Sequence, residues 1–231
     1  MSRTLNVVRL QLINRQTYIW LPLIILGGSL AIALAIYGIL AGSGVPGPFY
    51  GGGAQAPLWY FLIVGVYALT LSFPFSQAMS ITRREFYLGT LLTAGLTSLI
   101  LAAIFVLGGL FEEATGGWWM NGWFFRLDWI WASGPAGAGL FYFAVASLFF
   151  VVGFWTATIY KRWGSLGLTI ALVGVALLLV AVLFVVGLGN AWVTFFTWLA
   201  ELGPVGVALW SLVLIAILAG FSYLTLRRTI P

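Results

Sequence analysis

Uninterrupted apolar stretches of about 20 residues, repeated along the whole chain, constrain this sequence more than any other feature. Each is long enough to cross roughly 30 Å of hydrocarbon as an α-helix, and lipid cannot satisfy the free backbone groups that other conformations would expose. The pattern predicts spans at 18–41, 57–79, 87–110, 136–160, 165–189 and 204–226. With 62% hydrophobic and only 6% charged residues, the composition lies outside the range of soluble domains. The expected fold class is all-α: a polytopic membrane protein with six transmembrane helices, both termini cytoplasmic, and short interfacial helices. Residues 1–17 form an N-terminal segment and 18–231 a single transmembrane domain.

The few charges set the expected orientation. Arg3, Arg9, Arg15, Arg83, Arg84, Lys161, Arg162, Arg227 and Arg228 fall on one side of the predicted spans, and Arg126 alone falls on the other. Positive charge collects on the cytoplasmic side of membrane proteins, so the cell membrane is the expected location, with the 80–86 and 161–164 loops inside and residues 42–56, 111–135 and 190–203 outside. Glu112, Glu113, Asp128 and Glu201 share the outer side, whereas Glu85 keeps company with the basic residues. The basic residues flank apolar spans and form no continuous patch, so no nucleic-acid partner is expected. A cleaved leader competes as a reading of residues 1–41, but the apolar stretch is too long for the core of a signal peptide. The segment 1–17 is either an interfacial helix, with Leu5, Val8 and Leu12 on one stripe, or a solvated basic tail.

The chain has no cysteine and no histidine, which removes thiolate chemistry, imidazole metal ligands and the commonest general base. No catalytic residue and no metal site are expected. No G-x-x-x-x-G-K-[ST] phosphate loop occurs, so any ATP hydrolysis belongs to another polypeptide. Nor do the predicted spans carry the ionisable groups that ion-coupled transport generally needs.

The exception to this apolar monotony is "SFPFSQAMSITRREFYLGTLL", residues 72–92. Thr82 followed three residues later by Glu85 has the form of a capping box, which starts a helix. Pro74 removes a backbone donor upstream, so the second span is expected to kink or end irregularly as it approaches the cytoplasm, with Ser72, Ser76 and Gln77 offering polar partners. The result is a compact, basic, helix-capped turn, read either as a contact surface or as topogenic arginines beside a cap.

The segment "AMSITRREFYLGT" resembles the cytoplasmic turn of bacterial ABC transporter permeases of the ABC-2 type, and the six-span length and inward termini fit that family. The resemblance implies that the turn is a coupling helix resting on a separate ATP-binding subunit. Ser80, Thr82, Arg83, Arg84, Glu85 and Phe86 are then the ATPase contacts. It also implies a second permease copy or a related chain, an exporter's direction, contact with membrane lipid, and no cofactor in this chain, ATP and Mg being bound by the partner. The family commonly places short re-entrant helices before the last span, and "NAWVTFFTWLAELGP" is aromatic enough to match. The longest outer loop, between the third and fourth spans, departs from the family pattern.

That loop contains "GGWWMNGWFFRLDWIW". Trp118, Trp119, Trp123, Trp129 and Trp131 are expected to form an interfacial belt, since indoles favour the membrane boundary; a lid over a ligand path is the alternative. Arg126 and Asp128 are near enough in sequence to pair, although an exposed pair contributes little stability. Glu112 and Glu113 read as solvated acids at the end of the third span, or as an attraction for a cationic substrate. A non-transporting scaffold or immunity protein that binds a partner in the bilayer is the competing function.

Overall fold

The computed structural model describes residues 3–189 and 191–227; Arg228, and Asn190 at the head of the last outer segment, lie outside them. The chain is almost wholly helical, in the order α1 (Arg3–Ile13), α2 (Leu21–Gly42), β1 (Phe49–Tyr50), α3 (Ala56–Thr70), α4 (Ser72–Ala78), α5 (Arg83–Ala114), β2 (Gly122–Trp123), α6 (Asp128–Trp131), α7 (Gly134–Leu188) and α8 (Trp192–Leu226). A wide turn of helix, Gln16–Trp20, leads into α2, giving a continuous apolar stretch over Gln16–Gly42. Among the described residues, five helical stretches are long and apolar enough to cross a membrane. The membrane class of the fold therefore stands on length and composition.

Two of these stretches are interrupted at a glycine. Within α7 the backbone leaves helical values at Gly164 (φ 72°, ψ −168°), and within α8 it does so at Gly203 (φ 61°, ψ −178°), directly before Pro204. Both conformations lie in the region that glycine alone enters freely. Instead of the expected 161–164 loop there is one glycine, flanked by helix on both sides. Gly203 likewise separates a short aromatic helix from the 204–226 segment.

Pro74 acts as expected. Its missing N–H leaves the Thr70 carbonyl without the usual helical partner, and the helix is broken at Leu71 (φ −98°), between α3 and α4. Ser76 turns its Oγ back to the Phe73 carbonyl at 2.7 Å, and the Gln77 side chain donates to the Ile81 carbonyl at 3.1 Å.

Most of the core lies between α3, α4, α5 and the first part of α7, where Phe73, Phe86, Phe105, Phe150 and Phe154 are fully buried. Gly65 and Gly153 face one another across the α3–α7 crossing. A Cβ at Gly65 would strike the Phe150 carbonyl, and one at Gly153 would strike the Leu62 carbonyl. Small residues thus bring the two backbones into direct contact, as they do in tightly packed membrane helices.

By contrast, residues 165–188 are exposed nearly throughout, with Leu166 at 73% and Val185 at 66%. A helix apolar on every side needs an apolar surrounding, either lipid or another chain.

The N-terminal segment is a docked helix. Val7 and Gln11 of α1 are buried, Val7 against Gly89 of α5, while Gln11 Nε2 donates to Thr90 Oγ1 at 2.9 Å. The segment is thus a helix packed on α5 through Val7 and Gln11, with Leu5 left exposed. At the other extreme of the described chain, the Arg227 carbonyl accepts from Arg83 Nη1 at 2.8 Å. Residues 3–13 and 227 consequently both lie against the first turns of α5.

Candidate functional site

Polar chemistry gathers at the two ends of α5. At its N-terminus the capping box predicted from Thr82 and Glu85 is complete. Glu85 N donates to Thr82 Oγ1 at 3.3 Å, and Glu85 Oε2 accepts from Thr82 N at 3.0 Å and from Thr82 Oγ1 at 2.7 Å. Each side chain satisfies a backbone donor that the start of a helix would leave free.

The preceding helix ends with equal definition. Ser80 N donates to the Gln77 carbonyl at 3.0 Å and Ile81 N to the Ser76 carbonyl at 3.1 Å, the paired bonds of a Schellman motif. Ser80 therefore occupies the left-handed position usually filled by glycine, with φ 56°. Only Ser80 and Ile81 separate the Met79 cap of α4 from the Thr82 cap of α5, so the turn is fixed from both sides.

The six residues singled out here divide into three roles. Ser80, Thr82 and Arg84 are exposed. Arg83 and Glu85 are half-buried and engaged, Arg83 with the end of α8 and Glu85 with Thr82. Phe86 is fully buried and packs edge-on against Phe73 with ring centres 5.1 Å apart, so the expected ATPase contact at Phe86 is corrected to a core position. The helical period explains this: Phe86 lies four residues before Thr90, on the face of α5 that turns inward.

The C-terminal end of α5 overturns a second expectation. Glu112 is not a solvated acid; it is completely buried. Its Oε1 accepts from Trp118 Nε1 at 2.7 Å and from Phe124 N at 2.9 Å, while its Oε2 accepts from Phe125 N at 2.9 Å and Arg126 N at 2.8 Å. Three consecutive backbone amides converge on one carboxylate. Burying a carboxylate is unfavourable unless such donors replace its water, and here the loop supplies them.

The rest of the outer cap is built around that anchor. Arg126 pairs with Glu113 at 3.2 Å, not with Asp128, and its guanidinium lies 5.6 Å from the Trp123 ring centre and 5.8 Å from that of Trp131. Asp128 instead accepts from the Tyr50 hydroxyl at 2.8 Å, and this bond is the first cause that pushes the Tyr50 pKa above its ordinary value. Phe49 and Tyr50 pair in parallel with Gly122 and Trp123, and the Tyr37 hydroxyl donates to the Trp123 carbonyl at 3.1 Å. The 42–56 loop, featureless in sequence, is thereby stitched to the 111–135 loop.

The five tryptophans are not a uniform belt. Trp119 is 78% exposed and Trp129 is 42% exposed, positions suited to an interface. Trp131 is buried, with its indole N–H on the Phe125 carbonyl at 3.3 Å. Trp118 is held by Glu112, and Trp123 donates to Asn121 Oδ1 at 3.0 Å. Beside this cap, Leu58, Trp59, Ile130, Phe141 and Phe149 line an apolar cavity of about 230 Å³.

Sequence reasoning missed Glu112 and the Tyr50–Asp128 pair. The first had a readable signal: Phe105, Gly109 and Glu112 follow the spacing of the buried stripe of α5. The second depends on two loops 78 residues apart and left no local trace.

No family model matches the chain, and no curated protein or solved structure is significantly similar to it.

Proposed function

We propose that this chain is the membrane-embedded permease subunit of an ATP-driven transporter, worked by a separate ATP-binding subunit that docks on the 79–85 turn. In this reading the chain crosses the cytoplasmic membrane six times, with both termini inside, and acts with a second copy or a related chain. Its direction is export, an expectation that comes from the resemblance to ABC-2 permeases.

The observation that carries the proposal is the rigidity of the turn and its attachment to a distant helix. A Schellman motif fixes one side, a capping box fixes the other, and Arg83 ties the turn to Arg227, the cap of the final helix. A push on such a turn moves α4, α5 and the end of α8 together, since no loose loop lies between them to absorb it. Topogenic arginines alone would not need this bracing.

The test is to purify the tagged chain from its native host in mild detergent and identify stoichiometric partners by mass spectrometry. An ATP-binding subunit should co-purify, and simultaneous Arg83→Gln, Arg84→Gln and Glu85→Gln substitution should abolish its capture while the chain still inserts and unfolds cooperatively. Repeated purification without any ATPase would sink the reading and favour the scaffold or immunity protein.

A further inference from the structure

The same end of the molecule carries a groove that shares Arg84 with the 79–85 turn but otherwise lies outside it. Between the first turns of α5 and the last turns of α8 runs an open groove of about 450 Å³, walled by Tyr87, Leu88, Leu91, Ala219, Gly220 and Tyr223, with Arg84 at its mouth. The floor is apolar in effect. The Tyr87 hydroxyl is spent inside the wall, donating to the Ala219 carbonyl at 2.6 Å beside Ser222 Oγ at 3.3 Å, and the Tyr87 and Tyr223 rings, with centres 5.1 Å apart, both line the groove.

Arg84 is the one charged side chain among the described residues that line the groove. Among the described residues Arg84 makes no hydrogen bond or ion pair, and the neighbouring Glu85 carboxylate is occupied by Thr82. A second guanidinium, that of Arg227, lies 5.9 Å from the centre of the Tyr223 ring on the groove wall. Glu85 is the one acid in the predicted inner segments; Glu112, Glu113, Asp128 and Glu201 belong to the outer ones.

We propose that this groove binds one anionic phospholipid, with its phosphate between Arg84 and Arg227 and an acyl chain lying along Leu88, Leu91 and Gly220. The proposal rests on the membrane reading of the fold but needs no ATPase. Two features select a lipid over a soluble protein. Planar guanidinium groups are suited to phosphate, and Leu91 lies two helical turns from Arg84, about 10 Å deeper at 1.5 Å per residue. A partner approaching from water reaches the arginines but not the apolar wall. One amphiphile fills both parts.

The experiment uses the full-length chain alone, exchanged into detergent with phosphatidylglycerol or phosphatidylcholine, and counts retained lipids by native mass spectrometry. Wild type should retain one phosphatidylglycerol in preference to phosphatidylcholine. The double variant Arg84→Gln, Arg227→Gln should weaken that retention by about fivefold per arginine. Gly220→Leu tests the groove separately: a Cβ there meets nothing within 4 Å, so the added side chain occupies the groove without displacing the fold, and retention of the bound lipid should be lost. Equal retention of the two lipids by wild type overturns the proposal, as does undiminished phosphatidylglycerol binding in both variants. If the arginine variant loses only capture of an ATP-binding protein, Arg84 is a protein contact and the lipid assignment is wrong.

Discussion

Two adjacent glutamates at the end of α5 meet opposite fates because a helix turns about 100° per residue. Glu113 faces out and pairs with Arg126, while Glu112 faces in and collects four donors from the loop that follows. Those donors are themselves buried or half-buried, so the carboxylate cannot be removed without leaving them unpaired. Glu112→Ala should therefore lower stability by about 1–3 kcal/mol for each buried donor that no water reaches, the cost of leaving a buried donor unpaired. Glu112→Gln should be milder, because one carbonyl oxygen remains while the new amide brings donors where acceptors are needed. Thermal unfolding in detergent, followed by tryptophan fluorescence, checks both; an unchanged midpoint in Glu112→Ala would show that the loop holds without its anchor. The sequence revealed the acids but not their burial, since "EE" at the end of an apolar span looks the same whether or not the next loop folds back over it.

At the level of whole elements, more could be read in advance. The capping box at Thr82 and the break near Pro74 are local chemistry, set by residues three or four apart, and both are present. The inward stripe of α5 also follows local spacing, through Phe86, Thr90, Thr97, Leu101, Phe105 and Glu112, all buried. What periodicity alone could not supply is the choice of neighbour. The pairing of α3 with α7 depends on Gly65 and Gly153 lying opposite each other, although they are far apart in sequence. Since a side chain at Gly153 would run into the Leu62 backbone, which cannot rotate away, Gly153→Leu should force the helices apart. Overpacking costs about 1–3 kcal/mol where side chains can adjust, and a backbone obstacle places this variant at the upper end or beyond. Gly95, where an added Cβ meets nothing within 4 Å, is the matched control: Gly95→Leu should be tolerated. Comparing the fraction of monodisperse protein after heating for the two variants measures the difference, and equal tolerance would remove the close crossing as a stabilising contact.

For the whole molecule, charge and packing converge on one axis. Arg83 touches Arg227, Lys161 lies 5.3 Å from the Phe73 ring centre, Phe73 packs on Phe86, and α1 lies on the start of α5, so the basic segments gather at one end. Glu112, Glu113, Arg126 and Asp128 share the cap at the opposite end of α5. Between them the surface is apolar, most of all along residues 165–188, where neither water nor the rest of the described chain offers a suitable surrounding. A membrane would cover the apolar girdle, and the distribution of charge predicts that the basic end faces the cytoplasm. The absence of natural cysteine makes this directly measurable. Single variants Ser80→Cys and Trp119→Cys place thiols at exposed positions of the two ends. In intact cells a membrane-impermeant maleimide should modify Cys at 119 and spare Cys at 80, and permeabilisation should expose the second site. A third thiol at Leu188, at the end of α7, distinguishes six crossings from five. If Gly164 reverses the chain, Leu188 lies on the outer side and labels together with position 119; if α7 continues in one direction as a single span, it behaves differently. Labelling at 80 and 119 from the same side would contradict the transmembrane axis altogether, and with it the placement of the 79–85 turn where a cytoplasmic ATPase can reach it.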